Sequence, residues 1–205
     1  MVKVKKDATT EEKIMEAARK VFVKQGMAGA RMQEIADEAG INKAMLHYYF
    51  RSKELLFEMI FRQSAQKLFP KLNIIFDSEL PLFEKIEKFV GEYIDVIQEN
   101  PYLPMFVLGE MNKNPDGFYR KMKHEFEFPK PDKFLQEISR EVKEGKIKPI
   151  HPLQLLMNIL SGTIFPFMAR PIFQLHIGLT DAQYREFIQQ RKKEFSRFII
   201  DAIRK

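Results

Sequence analysis

Apolar residues recur three and four positions apart through most of this chain, and no segment alternates apolar and polar residues as a half-buried strand would. Ile14, Ala17, Ala18, Val21 and Phe22 fall at i, i+3, i+4, i+7 and i+8. Phe83, Ile86, Phe89, Val90, Tyr93, Ile94 and Ile97 repeat the pattern, as do Phe187, Ile188, Phe195, Phe198, Ile199 and Ala202. A sequence so patterned buries one face of each of many helices. The expected fold is all-α, with about nine helices and no sheet.

Local signals set the expected boundaries. Thr9 and Glu12 form a capping-box pattern for the first helix, which Gly26 stops. A second helix is predicted over Met32–Ala39 and ends at Gly40. A third covers Asn42–Phe50, with Asn42 as its cap, and a fourth runs from Ser52 to about Phe69. Further helices are predicted over Pro81–Asn100, Pro101–Met111, Asp132–Glu144 and Pro152 to about Phe173. Thr180 and Asp181 open the last helix, which reaches almost to Lys205. Asn114–Pro131, broken by proline and glycine, reads as a partly ordered connection.

Composition divides the chain in two. All 11 prolines lie from Pro70 to Pro171. Residues 1–53 hold 11 Lys and Arg against 7 Asp and Glu, so this quarter of the chain carries +4 of the net +6. Domains over 1–54 and 55–205 are expected. The basic excess suits an anionic partner, and a solvated tail around Lys3, Lys5 and Lys6 accounts for it equally well. With no Cys, a disulfide framework, a thiolate metal site and a cysteine nucleophile are excluded. The residues Met1–Asp7 lead into no apolar core of a signal peptide. Leu153–Ala169 is free of charge for 17 residues, short of the roughly 20 a membrane helix needs. It reads as a helix buried in protein.

The most informative stretch is Gln33–Phe50. Two short helices meet at Gly40. Ala36, four residues earlier, is small enough to let the helices cross closely. Leu46, six residues later, plugs the core from the second helix. That spacing suits a helix-turn-helix, although a plain helical hairpin shares it. Asn42, Lys43, Ala44, His47 and Tyr48 then face outward, a polar, basic and aromatic surface suited to phosphates and base edges.

Residues Ile14–Leu55 resemble the TetR family of transcriptional regulators. The likeness lies in Val21-Phe22-Val23-Lys24-Gln25-Gly26, in Ile35-Ala36-Asp37-Glu38-Ala39-Gly40-Ile41-Asn42-Lys43, and in Leu46-His47-Tyr48-Tyr49-Phe50-Arg51-Ser52-Lys53-Glu54-Leu55. The family usually has hydroxyl residues at Ala30 and Arg31, an aromatic at Met27 and Tyr at His47. The resemblance implies an N-terminal helix-turn-helix domain and a C-terminal helical domain for ligand binding and dimerisation. It implies a cytoplasmic homodimer that represses from a near-palindromic, double-stranded DNA operator and is released by a small apolar effector.

On that footing Lys43, His47 and Tyr48 or Tyr49 meet phosphate, and His47 replaces the usual tyrosine donor. Asn42, Ala44 and Met45 lie at the tip. Gln33 reads a base edge, and Arg31 reaches a phosphate or guanine. Lys53, beside the N-terminus of the fourth helix, forms a phosphate seat. Tyr93, Met105, Phe106, Met111, Phe165 and Phe167 are the candidate pocket residues, with Met157 and Met168 as further candidates. No two His lie at metal-ligand spacing, and no nucleophile–base pattern appears, so neither a metal site, a cofactor nor an enzyme is expected. The rival reading is a helical ligand carrier or protein-interaction module that does not bind DNA.

Overall fold

The computed structural model describes residues 8–205. Ten α-helices and one π-helical turn account for the regular structure of these residues, with no strand among them. The helices are α1 (Ala8–Gly29), α2 (Met32–Glu38), α3 (Lys43–Tyr49), α4 (Lys53–Asp77), α5 (Leu82–Glu99), α6 (Leu103–Lys113), α7 (Pro115–Glu125), α8 (Asp132–Lys143), α9 (Pro152–Met168) and α10 (Asp181–Ile203). The π-helical turn is Ile172–His176, between α9 and α10. One antiparallel bridge joins Ile147 to Arg204.

Two apolar clusters organise the molecule. The first takes Ile14, Ala18 and Phe22 from α1, Ile35 and Ala36 from α2, Leu46 from α3 and Leu56, Phe57 and Ile60 from α4. It also takes Leu103 from α6. The second gathers the far end of α4 with α5, α8, α9 and α10. The fourth helix runs through both, so its first two turns belong to the N-terminal core and its last three to the larger one. At the far end of the larger core, the buried Lys85 ammonium lies 2.6 Å from the Glu137 carboxylate.

Several predicted boundaries shift, each for a physical reason. The first helix is already helical at Ala8, so Thr9 lies inside it rather than capping it. Gly26 does break it, with φ 68°, and leaves a detached turn before Ala30. The fourth helix passes Pro70 and ends at Asp77, because Leu72, Ile75 and Phe76 continue its buried stripe beyond the proline. Burial of that stripe offsets a proline cost of about 3 kcal/mol. The predicted connection at Asn114–Pro131 contains a helix. Asn114 accepts the Gly117 N–H at 3.0 Å, and Pro115 occupies the first turn. The charge-free helix ends at Met168, short of Phe173. It is not buried all round. Leu155, Leu156, Ile159 and Phe167 face the core, while Leu153, Met157 and Phe165 are exposed. None of the described helices is long and apolar enough to cross a membrane. The basic residues Lys3, Lys5 and Lys6 lie outside the described part.

Candidate nucleic-acid interface

The second and third helices have seven residues each, too short to hold themselves. Their ends are fixed by the chain around Gly40, where φ is 66°. The Ile41 N–H donates to the Ala36 carbonyl at 3.0 Å and the Gly40 N–H to the Asp37 carbonyl at 3.1 Å. This is a Schellman closure, which needs a left-handed residue at the glycine position. Asn42 then caps α3, its side-chain oxygen accepting the Met45 N–H at 2.7 Å. Ala36 and Leu46, both fully buried, meet in the core as the spacing predicted.

At the start of α2, Arg31 stands in the cap position. Its side chain cannot accept a hydrogen bond, but the Glu34 carboxylate accepts the Arg31 N–H at 3.1 Å. Half of a capping box therefore survives without the hydroxyl. The Arg31 guanidinium is left on the exposed side.

With α3 held this way, Asn42, Lys43, Ala44, His47 and Tyr48 are exposed together. Among the described residues Lys43 pairs with no carboxylate. Gln33 is also exposed, and its amide donates to Asp37 on the next turn of α2 at 2.8 Å. The His47 Nδ1 lies 3.2 Å from the Arg51 carbonyl, so a neutral ring that donates there carries its lone pair on Nε2. The N-terminal core takes two of the expected contact residues. Tyr49 is only 6% exposed, with its ring edge against Tyr48, and Met45 is half-buried. The helix register explains this: Leu46, Tyr49 and Phe50 share the inward face of α3.

Lys53 is placed at the start of α4, but its ammonium is already engaged. It donates to the carbonyls of Met27 at 2.8 Å, Ala28 at 3.3 Å and Ala30 at 3.3 Å. The lysine expected on phosphate thus ties α4 to the turn after Gly26. Ser52 caps α4, accepting the Leu55 N–H at 3.2 Å.

Residues 14–60 match the sequence family described as bacterial regulatory proteins, tetR family. Over this segment the chain is similar to the TetR family. It is 28% identical over 191 residues to the HTH-type transcriptional regulator RutR of Escherichia coli (strain K12), covering 93% of this chain and 89% of that protein. The HTH-type transcriptional repressor NicS of Pseudomonas putida is 43% identical over 91 residues, 41% of each chain. The ketosteroid transcriptional regulator KstR2 of Mycobacterium tuberculosis shares the fold, with a TM-score of 0.70 at 16% identity over 98% of this chain and 97% of that one.

The two cores are joined by a junction that the sequence reading missed. The Tyr102 ring packs 5.5 Å from Phe22 of α1 and 5.0 Å from Phe57 of α4, centroid to centroid. Its hydroxyl donates to Asn100 at 3.0 Å, the Asn100 amide to Ser64 at 3.1 Å, and the Ser64 hydroxyl to the Ile60 carbonyl at 3.1 Å. Burial holds the Tyr102 phenol well above the usual tyrosine range. Asn100 and Ser64 carry no local signal of this role, because the two meet 36 residues apart.

Beside the junction lies a cavity of about 570 Å³. Met105, Phe106 and Phe167, from the predicted pocket set, line it, and so does Met168. The other three do not. Tyr93 packs half-buried on the larger core, its ring 5.5 Å from Phe89, and burial pushes its phenol up to about 12. Met111 and Phe165 are exposed, since the registers of α6 and α9 turn them outward.

Proposed function

We propose that the protein works as a dimeric, cytoplasmic repressor, in which residues 1–54 grip DNA and residues 55–205 pair the subunits and receive a small apolar effector. The observation that carries this reading is the exposed face of α3. Lys43, His47 and Tyr48 project together from a helix whose other side is locked into the core and whose start is fixed by a glycine closure. A rigid helix with a cationic and aromatic outer face suits a DNA major groove.

The exposed apolar residues of α9 and α10 support the dimer reading. Leu153, Met157 and Phe165 are spaced four and eight residues apart, so they run along one side of α9. Phe198 adds an exposed ring from α10. The two helices cross closely at Gly162, where any Cβ would run into the Phe195 ring. Arg191 fastens the crossing by donating to the Gly162 carbonyl at 2.8 Å. A two-fold pair built on such a surface would present two copies of α3 to a near-palindromic site.

The test is a gel shift and anisotropy titration against duplexes from the region flanking its own coding sequence. Specific binding that weakens steeply with salt is expected. A native chain that binds no duplex above the level of an unrelated sequence refutes the reading.

A further inference from the structure

The junction cavity has a chemical character that points to one kind of ligand. At about 570 Å³ it is within the usual range of small-molecule sites. Met27, Tyr102, Met105, Phe106, Phe167 and Met168 give it largely apolar walls. Three cations and two carboxylates also line it. Arg170 is answered by Asp181 at 2.8 Å. Lys113 is answered by Glu110 at 2.9 Å, and the Glu54 carboxylate also holds its charge. Lys53 is left with carbonyl partners alone, among the described residues. Lys53 is therefore the one lining cation without an ion pair among the described residues, and it stands at the positive end of the α4 dipole.

We propose that this cavity binds an apolar monoanion, a carboxylate on an aliphatic or aromatic body, and that the carboxylate draws the Lys53 ammonium away from α1. The proposal rests on the regulator reading above and adds the ligand class and its point of action. A carboxylate offers the ammonium a full opposite charge, which the carbonyl dipoles do not. The contact it replaces holds the turn Met27–Ala30, which Gly26 has already separated from the body of α1. Ala30 directly precedes Arg31, where α2 begins. Freeing that turn from α4 uncouples the start of α2, and with it the placement of α3, from the regulatory helices.

The experiment uses the full chain and two matched probe pairs: decanoate with decanol, and 2-naphthoate with 2-naphthalenemethanol. Calorimetry should show at least one anion binding about tenfold more tightly than its alcohol, equivalent to about 1.4 kcal/mol. Lys53→Met should reduce that anion's affinity to the level of the alcohol. Gly109→Phe should weaken both members of the pair by about tenfold. A side chain at Gly109 starts in open space, so this variant blocks the cavity without straining α6. Circular dichroism confirms that both variants are folded. If neither anion binds, if the alcohols bind equally well, or if Gly109→Phe leaves binding unchanged, the proposal is overturned. In a second arm, the bound anion should weaken DNA binding of the native chain and not of Gly109→Phe. An anion that binds through Lys53 to a chain with no affinity for DNA leaves the site standing and refutes the regulator reading. An anion that binds without changing DNA affinity overturns the proposed point of action.

Discussion

Replacing Phe198 by Glu tests the pairing of α9 and α10. Phe198 is 69% exposed in the single chain, an unusual state for a phenylalanine in the middle of a 23-residue helix. A phenylalanine of roughly 200 Å² thus leaves about 140 Å² uncovered. At about 25 cal/mol per Å², covering it is worth up to about 3.5 kcal/mol per subunit. Two-fold symmetry doubles that to about 7 kcal/mol per dimer, an upper limit because association has its own entropic and desolvation costs. If half survives those costs, losing both rings raises the dimer dissociation constant by over a hundredfold. The glutamates add the cost of desolvating two carboxylates. Sedimentation velocity between nanomolar and micromolar concentrations reads the constant directly. Because Phe198 touches little of its own chain, the thermal unfolding of the isolated subunit should hardly change. The reasoning is refuted if the native chain sediments at 24.3 kDa at micromolar concentration, or if the variant dimerises as tightly as the native protein.

Further substitutions probe the other elements. Leu46→Ala removes a fully buried side chain from the first core and should cost about 2–5 kcal/mol; a urea midpoint unchanged from the native protein would show that α3 is not anchored there. His47 is exposed on α3, with its Nδ1 3.2 Å from the Arg51 carbonyl. His47→Ala should therefore weaken operator binding by about tenfold; an unchanged affinity would remove His47 from the contact set. Lys85→Met leaves the largely covered Glu137 carboxylate without its cation and should cost about 3 kcal/mol. Lys85→Met/Glu137→Leu should recover most of that loss, and a double variant no more stable than the single one contradicts it.

The sequence by itself determined the features that depend on neighbouring residues. The glycine closure at Gly40, the Asn42 cap, the Ser52 and Thr180 caps and the break at Gly26 are each set by the backbone chemistry of a few consecutive residues. The inward faces of α1 and α5 were legible for the same reason, since a helix repeats every 3.6 residues whatever it packs against, whereas in α10 the apolar Phe198 and Ala202, read as part of the buried stripe, are exposed. The face of α3 was legible in outline, but only the packed core decided that Tyr49 and Met45 turn inward while Tyr48 stays out. The continuation of α4 through Pro70 was a tertiary decision as well, because the buried contacts that outweigh a proline come from helices far along the chain. The same holds for Lys53. Read locally, it is a cation at a helix N-terminus and suits a phosphate. In the folded chain the end of α1 brings three carbonyls to it from more than twenty residues away. The cavity beside it exists only because α6 and the end of α9 close over that junction, and no spacing within one segment encodes how two distant helices meet.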